Sequence, residues 1–227
     1  MVAIQTGDVA SLQRLLGADP ALARARVDGK RTLLHVATDW PGHFPNVRET
    51  IAVLAAHGAD LNAKMLAGHH AETPLHWAAS SDDLDALDAL LDLGADIEAP
   101  GAVIGGGTPL ADAVAFATWR AARRLIERGA RTTIWQAASL GLMDRLASHL
   151  AADPPPDAHA LTNAFWGACH GGQAEAARVL LSRGANLNWV GHGRLTPLDA
   201  AIRNGDTELA DWLRAHGAVS AGRAAAT

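Results

Sequence analysis

Histidines and carboxylates can act as acid, base or metal ligand, and two short stretches of this chain concentrate them. Asp39 and His43 flank Trp40-Pro41-Gly42, and His69-His70-Ala71-Glu72 follows further along. Brought together by folding, these side chains could exchange protons with a bound molecule or hold a metal ion. The spacing argues against the metal. No two histidines stand four residues apart, as they do on a metalloprotease helix, and no other metal motif matches. No metal site and no cofactor is therefore predicted. Other candidates fail sooner. Gly105-Gly106-Gly107-Thr108 opens a helix but lacks the lysine of a phosphate-binding loop. Ser80-Ser81-Asp82-Asp83 reads as a helix end, and Asp82, Asp83, Asp85 and Asp88 read as a solvated acidic face. Cys169 falls at an alanine-like position inside a helix, where a thiol serves packing.

The elements that position these residues come from a chain of 227 residues, 49% of them hydrophobic, enough for a sizeable core. Lys and Arg number 19 against 24 Asp and Glu, a formal net charge of −5. That excess of acid argues against nucleic acid, which selects a basic face, and against an anionic membrane surface. A single cysteine excludes an intramolecular disulfide framework. Met1–Asp8 has neither the basic start nor the apolar stretch of a secretion signal, and no apolar run approaches the roughly 18 residues of a membrane span. A cytoplasmic protein is expected.

The chain repeats itself. Thr32-Leu33-Leu34-His35-Val36-Ala37 recurs as Thr73-Pro74-Leu75-His76-Trp77-Ala78, as Thr108-Pro109-Leu110-Ala111 and as Thr196-Pro197-Leu198-Asp199. Thr132-Thr133-Ile134-Trp135 and Asn163-Ala164-Phe165-Trp166 are worn copies. Gly58-Ala59-Asp60, Gly94-Ala95-Asp96, Gly129-Ala130, Gly184-Ala185-Asn186 and Gly217-Ala218 follow at regular distances. Threonine caps a helix and proline suits its first turn. Glycine closes a helix where a left-handed residue is needed. Each unit is thus a helix pair and a turn, which must stack on its neighbours to bury its apolar face.

The pattern resembles the ankyrin repeat, over nearly the whole chain from about Ile4 to Ala218, in the manner of a stand-alone bacterial-type array of about seven units. The resemblance implies an all-α solenoid of helix-turn-helix repeats with β-hairpin fingers. It is expected to form a single domain over residues 1–219 with a disordered tail at 220–227. It also implies a non-enzymatic binding module whose partner is a protein gripped in a concave groove. Carried over by repeat alignment, the groove-facing helix positions are Asp39 and Trp40, Ser80 and Ser81, Ala115 and Phe116, Ser139 and Leu140, His170 and Gly171, and Arg203 and Asn204. His35 and His76 take the motif position whose imidazole bonds turn backbone. Trp77, Trp119 and Trp212 read as packing residues, Trp135 and Trp166 as replacements of the motif histidine, and Trp189 as a finger base. Trp40 alone falls on the groove.

Departures from the pattern localise the site. Trp40–Asn46 is an insertion whose two prolines and glycine forbid a continuous helix. The connections after Gly58 and Gly94 are long and apolar-tipped, with Met65, Leu66, Val103 and Ile104. The connection after Gly129 is missing, and a short one with Pro154-Pro155-Pro156 follows, which predicts a notch. A candidate site therefore gathers on repeats two to four: Arg31, Asp39, Trp40, His43, Met65, Leu66, His69, His70, Glu72, Ser80, Ser81 and Phe116. An aromatic anchor with a mixed-charge rim is how a binding hot spot is built. The alternative is a small-molecule-binding or metal-assisted enzyme that uses the same His, Asp, Glu and Trp side chains.

Overall fold

The computed structural model describes residues 1–66 and 71–224, and the chain divides into two compact units, 1–131 and 132–227. The division falls at Arg131, where the repeat pattern loses a finger.

In the first unit short helices alternate. They are α1 (Val2–Gln5), α2 (Val9–Ala18), α3 (Leu33–Ala37), α4 (Val47–Ala56), α5 (Pro74–Ser80), α6 (Leu84–Asp92), α7 (Pro109–Ala115) and α8 (Trp119–Glu127). Their starts are dictated by neighbours three residues away. The Thr32 and Thr73 amides donate to Nδ1 of His35 and His76 at 3.2 and 3.1 Å. Asp83 accepts from the Ala86 amide and so caps α6. Helices end where Gly58, Gly94 and Gly129 take positive φ. Like helices then stack, α3 with α5 and α5 with α7, and behind them α4 with α6 and α6 with α8. The motif leucines Leu34, Leu75 and Leu110 are fully buried in the front row, and Leu54, Leu90 and Leu125 in the back row. Each contributes roughly 1.5–3 kcal/mol by leaving water.

The acidic run is not a solvated face. Asp82 Oδ1 accepts the Ala121 amide at 2.7 Å, and Asp83 Oδ2 accepts the His43 amide at 2.6 Å. Asp88 is buried and paired with Arg48 of α4, with Arg124 of α8 and with Arg128 at the C-cap of α8. All four aspartates bond to a neighbouring repeat; only Asp85, paired with Arg48 of α4 at the surface, fits the expectation of exposure.

The fingers are turns more than ladders. Among the described residues the only sheet is β1 (Arg26–Val27) against β2 (Arg31–Thr32), antiparallel, two residues a strand. In the next finger the Met65 amide donates to the Glu72 carbonyl at 2.8 Å. That finger meets the third where the Ala71 amide donates to the Gly101 carbonyl at 3.3 Å. Gly101, at φ +139°, admits no side chain, because a Cβ would stand 2.2 Å from the Ala71 oxygen. His69 and His70 lie outside the described residues.

The second unit contains α9 (Ile134–Ser139), α10 (Met143–Leu150), α11 (Ala158–His170), α12 (Ala174–Ser182), α13 (Pro197–Arg203) and α14 (Thr207–Ala215). Helix α11 packs against both α9 and α13. Phe165, Leu146, Leu180 and Leu213 are fully buried, as is Cys169, whose thiol burial keeps protonated. At its end Ala221–Ala224 forms a further helical turn, α15, whose first amide donates to Asp199 at 2.8 Å. Residues 225–227 lie outside the described residues. Among the described residues no helix is long and apolar enough to cross a membrane.

Candidate binding pocket

Helix α3 stops after one turn and a half, and the chain that follows cannot re-enter a helix through Pro41 and Gly42. Trp40 is left 80% exposed, with no packing role to explain it. Its neighbour Asp39 is held by Arg31, Nη1 to Oδ2 at 2.7 Å, and Arg31 also reaches Asp28 at 3.1 Å. Phe116 follows α7 as its C-terminal cap, its amide on the Asp112 carbonyl at 2.9 Å and its ring 52% exposed.

These residues border one cavity of about 420 Å³ on the first unit. Asp39, Trp40 and Phe116 line it together with Trp77, Ser80, Ser81 and Glu72. Each wall is fixed by a local bond. The Glu72 carbonyl accepts both the Met65 amide and Nε2 of His35, the latter at 3.0 Å. Trp77 sets its ring edge-on to His35, centroids 5.0 Å apart at 78°. The Ser80 hydroxyl donates to the Trp77 carbonyl at 3.1 Å.

Behind the wall, on α7, stands Asp112. Its repeat position is the one Trp77 holds in the unit before. Asp112 is fully buried, and neither carboxyl oxygen has a hydrogen-bond partner. Burial first, and the Glu72 carboxyl beside it second, push its pKa up to about 8. A buried carboxyl beside another carboxyl escapes the cost of a buried anion by keeping its proton.

The structure thus brings Asp39, Trp40, Glu72, Ser80, Ser81 and Phe116 to one place, with Arg31 behind Asp39. His43 stands apart, bonded through its backbone to Asp83, and its ring points to solvent. Met65 is half-buried and Leu66 exposed on the finger, and neither lines the cavity. Two pocket features escape the sequence reading. Trp77 is half-buried and lines the pocket instead of sitting in the core. Asp112 passes unnoticed, although a carboxyl at an apolar motif position was a visible signal. In the second unit, His170 and His192 do have structural duty. His170 stacks on Trp166 at 5.2 Å, and His192 meets Trp166, Trp189 and Trp135 at 5.0, 5.9 and 6.3 Å. Among the described residues no group of three or more His, Cys, Asp or Glu is placed to hold a metal ion.

A family model described as ankyrin repeats, three copies, matches residues 1–101. That match makes residues 1–101 ankyrin repeats, and the helix-rich fold of the described residues as a whole is consistent with an all-α ankyrin solenoid. Ankyrin repeats are in general protein-interaction modules, and the matched segment contains Asp39, Trp40, Glu72 and Trp77 of the pocket.

Proposed function

We propose that the protein is a non-enzymatic interaction module whose contact surface is centred on this pocket in repeats two to four, with a protein as its partner. The observation that carries the reading is the pair of exposed rings, Trp40 and Phe116, on one cavity. Water-exposed aromatic area is expensive, and a partner covering it recovers that energy. Trp40 is the anchor, Arg31, Asp39 and Glu72 set charge preference, and Met65, Leu66, Val103 and Ile104 offer further apolar grip from the fingers. Trp40→Ala should cost about 2 kcal/mol or more in partner binding and little in folding. The check is capture from lysate by wild type beside a Trp40→Ala, Glu72→Ala double variant. Proteins enriched by wild type and lost by the variant support the reading. Unchanged capture places the site elsewhere. If nothing is enriched, and a divalent metal raises the wild-type melting temperature, the alternative of a metal-assisted enzyme gains instead. Asp112 is the observation that favours that alternative, since a carboxyl titrating near neutrality suits proton transfer.

A further inference from the structure

Both lysines of the chain, Lys30 and Lys64, lie on the first two fingers, and Nη1 of Arg26 donates to the backbone carbonyls of both, to Lys64 at 3.0 Å. Arg24 stands on the same side, its Nε donating at 3.0 Å to the Gly58 carbonyl at the end of α4. A chain of net charge −5 thus gathers cations at one finger pair. Arg31, Arg48, Arg124 and Arg128 are each answered by a carboxylate. Among the described residues Arg24 and Arg26 have carbonyls instead, which fix the guanidinium and leave its charge. That charge is felt inside the unit. Burial is the main cause that lowers His35, and the charges of Arg26 and Arg31 add to it.

Arg24 and Arg26 line one cavity of about 400 Å³, with Thr32, Gly58 and Asp60. A guanidinium presents its N–H groups as parallel pairs. With Nε engaged, Arg24 keeps the Nη1–Nη2 pair; with Nη1 engaged, Arg26 keeps the Nε–Nη2 pair. Each arginine is therefore held in place with one complete fork to spare. Asp60 is the carboxylate in the lining. Its Oδ1 accepts the Asn62 amide at 2.9 Å, as Asp96 accepts that of Glu98 in the next finger, so the turn accounts for it. It makes no ion pair with either arginine among the described residues, and two guanidiniums outweigh it.

We propose that this cavity is a second binding site of the first unit and takes a phosphoryl group. A phosphoryl dianion offers three acceptor oxygens, enough for both forks, where a carboxylate has two and fills one. The net negative charge disfavours an extended polyanion, but distant charge is screened and leaves a single small group to the local cations. None of the lining residues borders the cavity of Trp40, so the inference stands apart from the interaction role.

The test follows the Arg24 and Arg26 Nε–H signals of the full chain by NMR at neutral pH, with ionic strength held constant. The probes are inorganic phosphate and the acetylated, amidated peptide Ala-Ala-phosphoserine-Ala-Ala, with glutamate and serine versions beside it. Phosphate and the phosphoserine peptide should move both signals, and phosphoserine should bind about tenfold more tightly than glutamate. Arg24→Lys keeps the charge and a donor for Gly58 but loses the fork, and should weaken phosphate binding roughly tenfold, with the melting temperature as a check on the fold. Lys64→Gln, outside the lining, should weaken it about twofold through the field alone. No movement of either signal overturns the site. Glutamate binding as tightly as phosphoserine overturns the phosphoryl group, and unchanged binding by a folded Arg24→Lys protein overturns the fork. Within a supported site, a peptide tighter than inorganic phosphate assigns it to a phosphorylated partner, and the reverse to free phosphate. The lysate comparison with the Trp40→Ala, Glu72→Ala variant reads the interaction role at other residues, so each can fail alone.

Discussion

The two units secure their fingers with different chemistry at the same place. In the first, Nε2 of His35 donates to the Glu72 carbonyl and Nε2 of His76 faces the Gly107 carbonyl, at 3.0 and 3.3 Å. In the second, Nε1 of Trp166 donates to the Leu195 carbonyl at 2.9 Å. Glu72, Gly107 and Leu195 each immediately precede the threonine that starts the next helix, so the bond is equivalent and only the donor differs. An imidazole also turns back to cap its own helix, which an indole cannot do. In α9 the motif-histidine position falls on Gln136 and not, as the sequence suggests, on Trp135: Gln136 Oε1 takes the Thr133 amide at 2.8 Å, as His35 and His76 take those of Thr32 and Thr73, and the buried Trp135 Nε1 has no hydrogen-bond partner. The indole needs more room, and Gly167 provides it, since a Cβ there would lie 2.5 Å from the Trp135 ring. The lesson is that a repeat position conserves a bond to a carbonyl, while the donor sets its pH response and the volume it demands.

The largest expected difference between the units is in acid. Burial lowers both His35 and His76 to about 4. A base depressed in the fold contributes fully above its unfolded pKa of about 6.5, and the contribution is lost as pH falls toward 4. That is about 3 kcal/mol per histidine. Asp112 runs the other way, because its raised pKa relieves strain as pH falls below 8, by roughly 2–3 kcal/mol between pH 7 and pH 5. Two histidines outweigh one aspartate, so the first unit weakens, and most clearly in an Asp112→Asn background. Hydrogen exchange at pH 7 and pH 5 should show α3–α6 losing protection while α11–α13 keep theirs. Equal loss in both would break the comparison.

Next in size is Gly167→Ala. Alanine favours a helix interior by about 1 kcal/mol, yet here it meets the Trp135 ring and the Ser139 hydroxyl, and should cost a net 1–3 kcal/mol. A higher melting temperature would mean that the indole yields freely. The smallest effect belongs to Trp166. Trp166→Phe removes one of two donors to the Leu195 carbonyl, which keeps the Gly191 amide at 2.9 Å, and should cost about 1 kcal/mol, equally at pH 5 and pH 7 in denaturant titrations. Trp166→His should import the acid sensitivity of the first unit. A pH-independent Trp166→His protein would show that the donor does not set the response.

By itself the sequence determined the repeats, their helix starts and ends, and most of the residues that line the pocket. Thr73 with His76, Asp83 with Ala86 and Gly58 at its helix end interact within four residues, so a local pattern specifies them. Repeat alignment likewise places Asp39, Trp40, Ser80, Ser81 and Phe116 late in successive units, on one side. Only the tertiary structure decided that Trp77 opens into the cavity, that Asp88 collects three arginines, and that His170 and His192 pack on Trp166. Each of the first two joins residues from neighbouring repeats, and His192 reaches Trp166 from the following finger. Such contacts follow the register of stacking, which no short window of sequence contains. Asp112 belongs to both accounts. Its odd residue type was plain to read, but only the packed repeats could put its carboxyl beside Glu72 and fully buried.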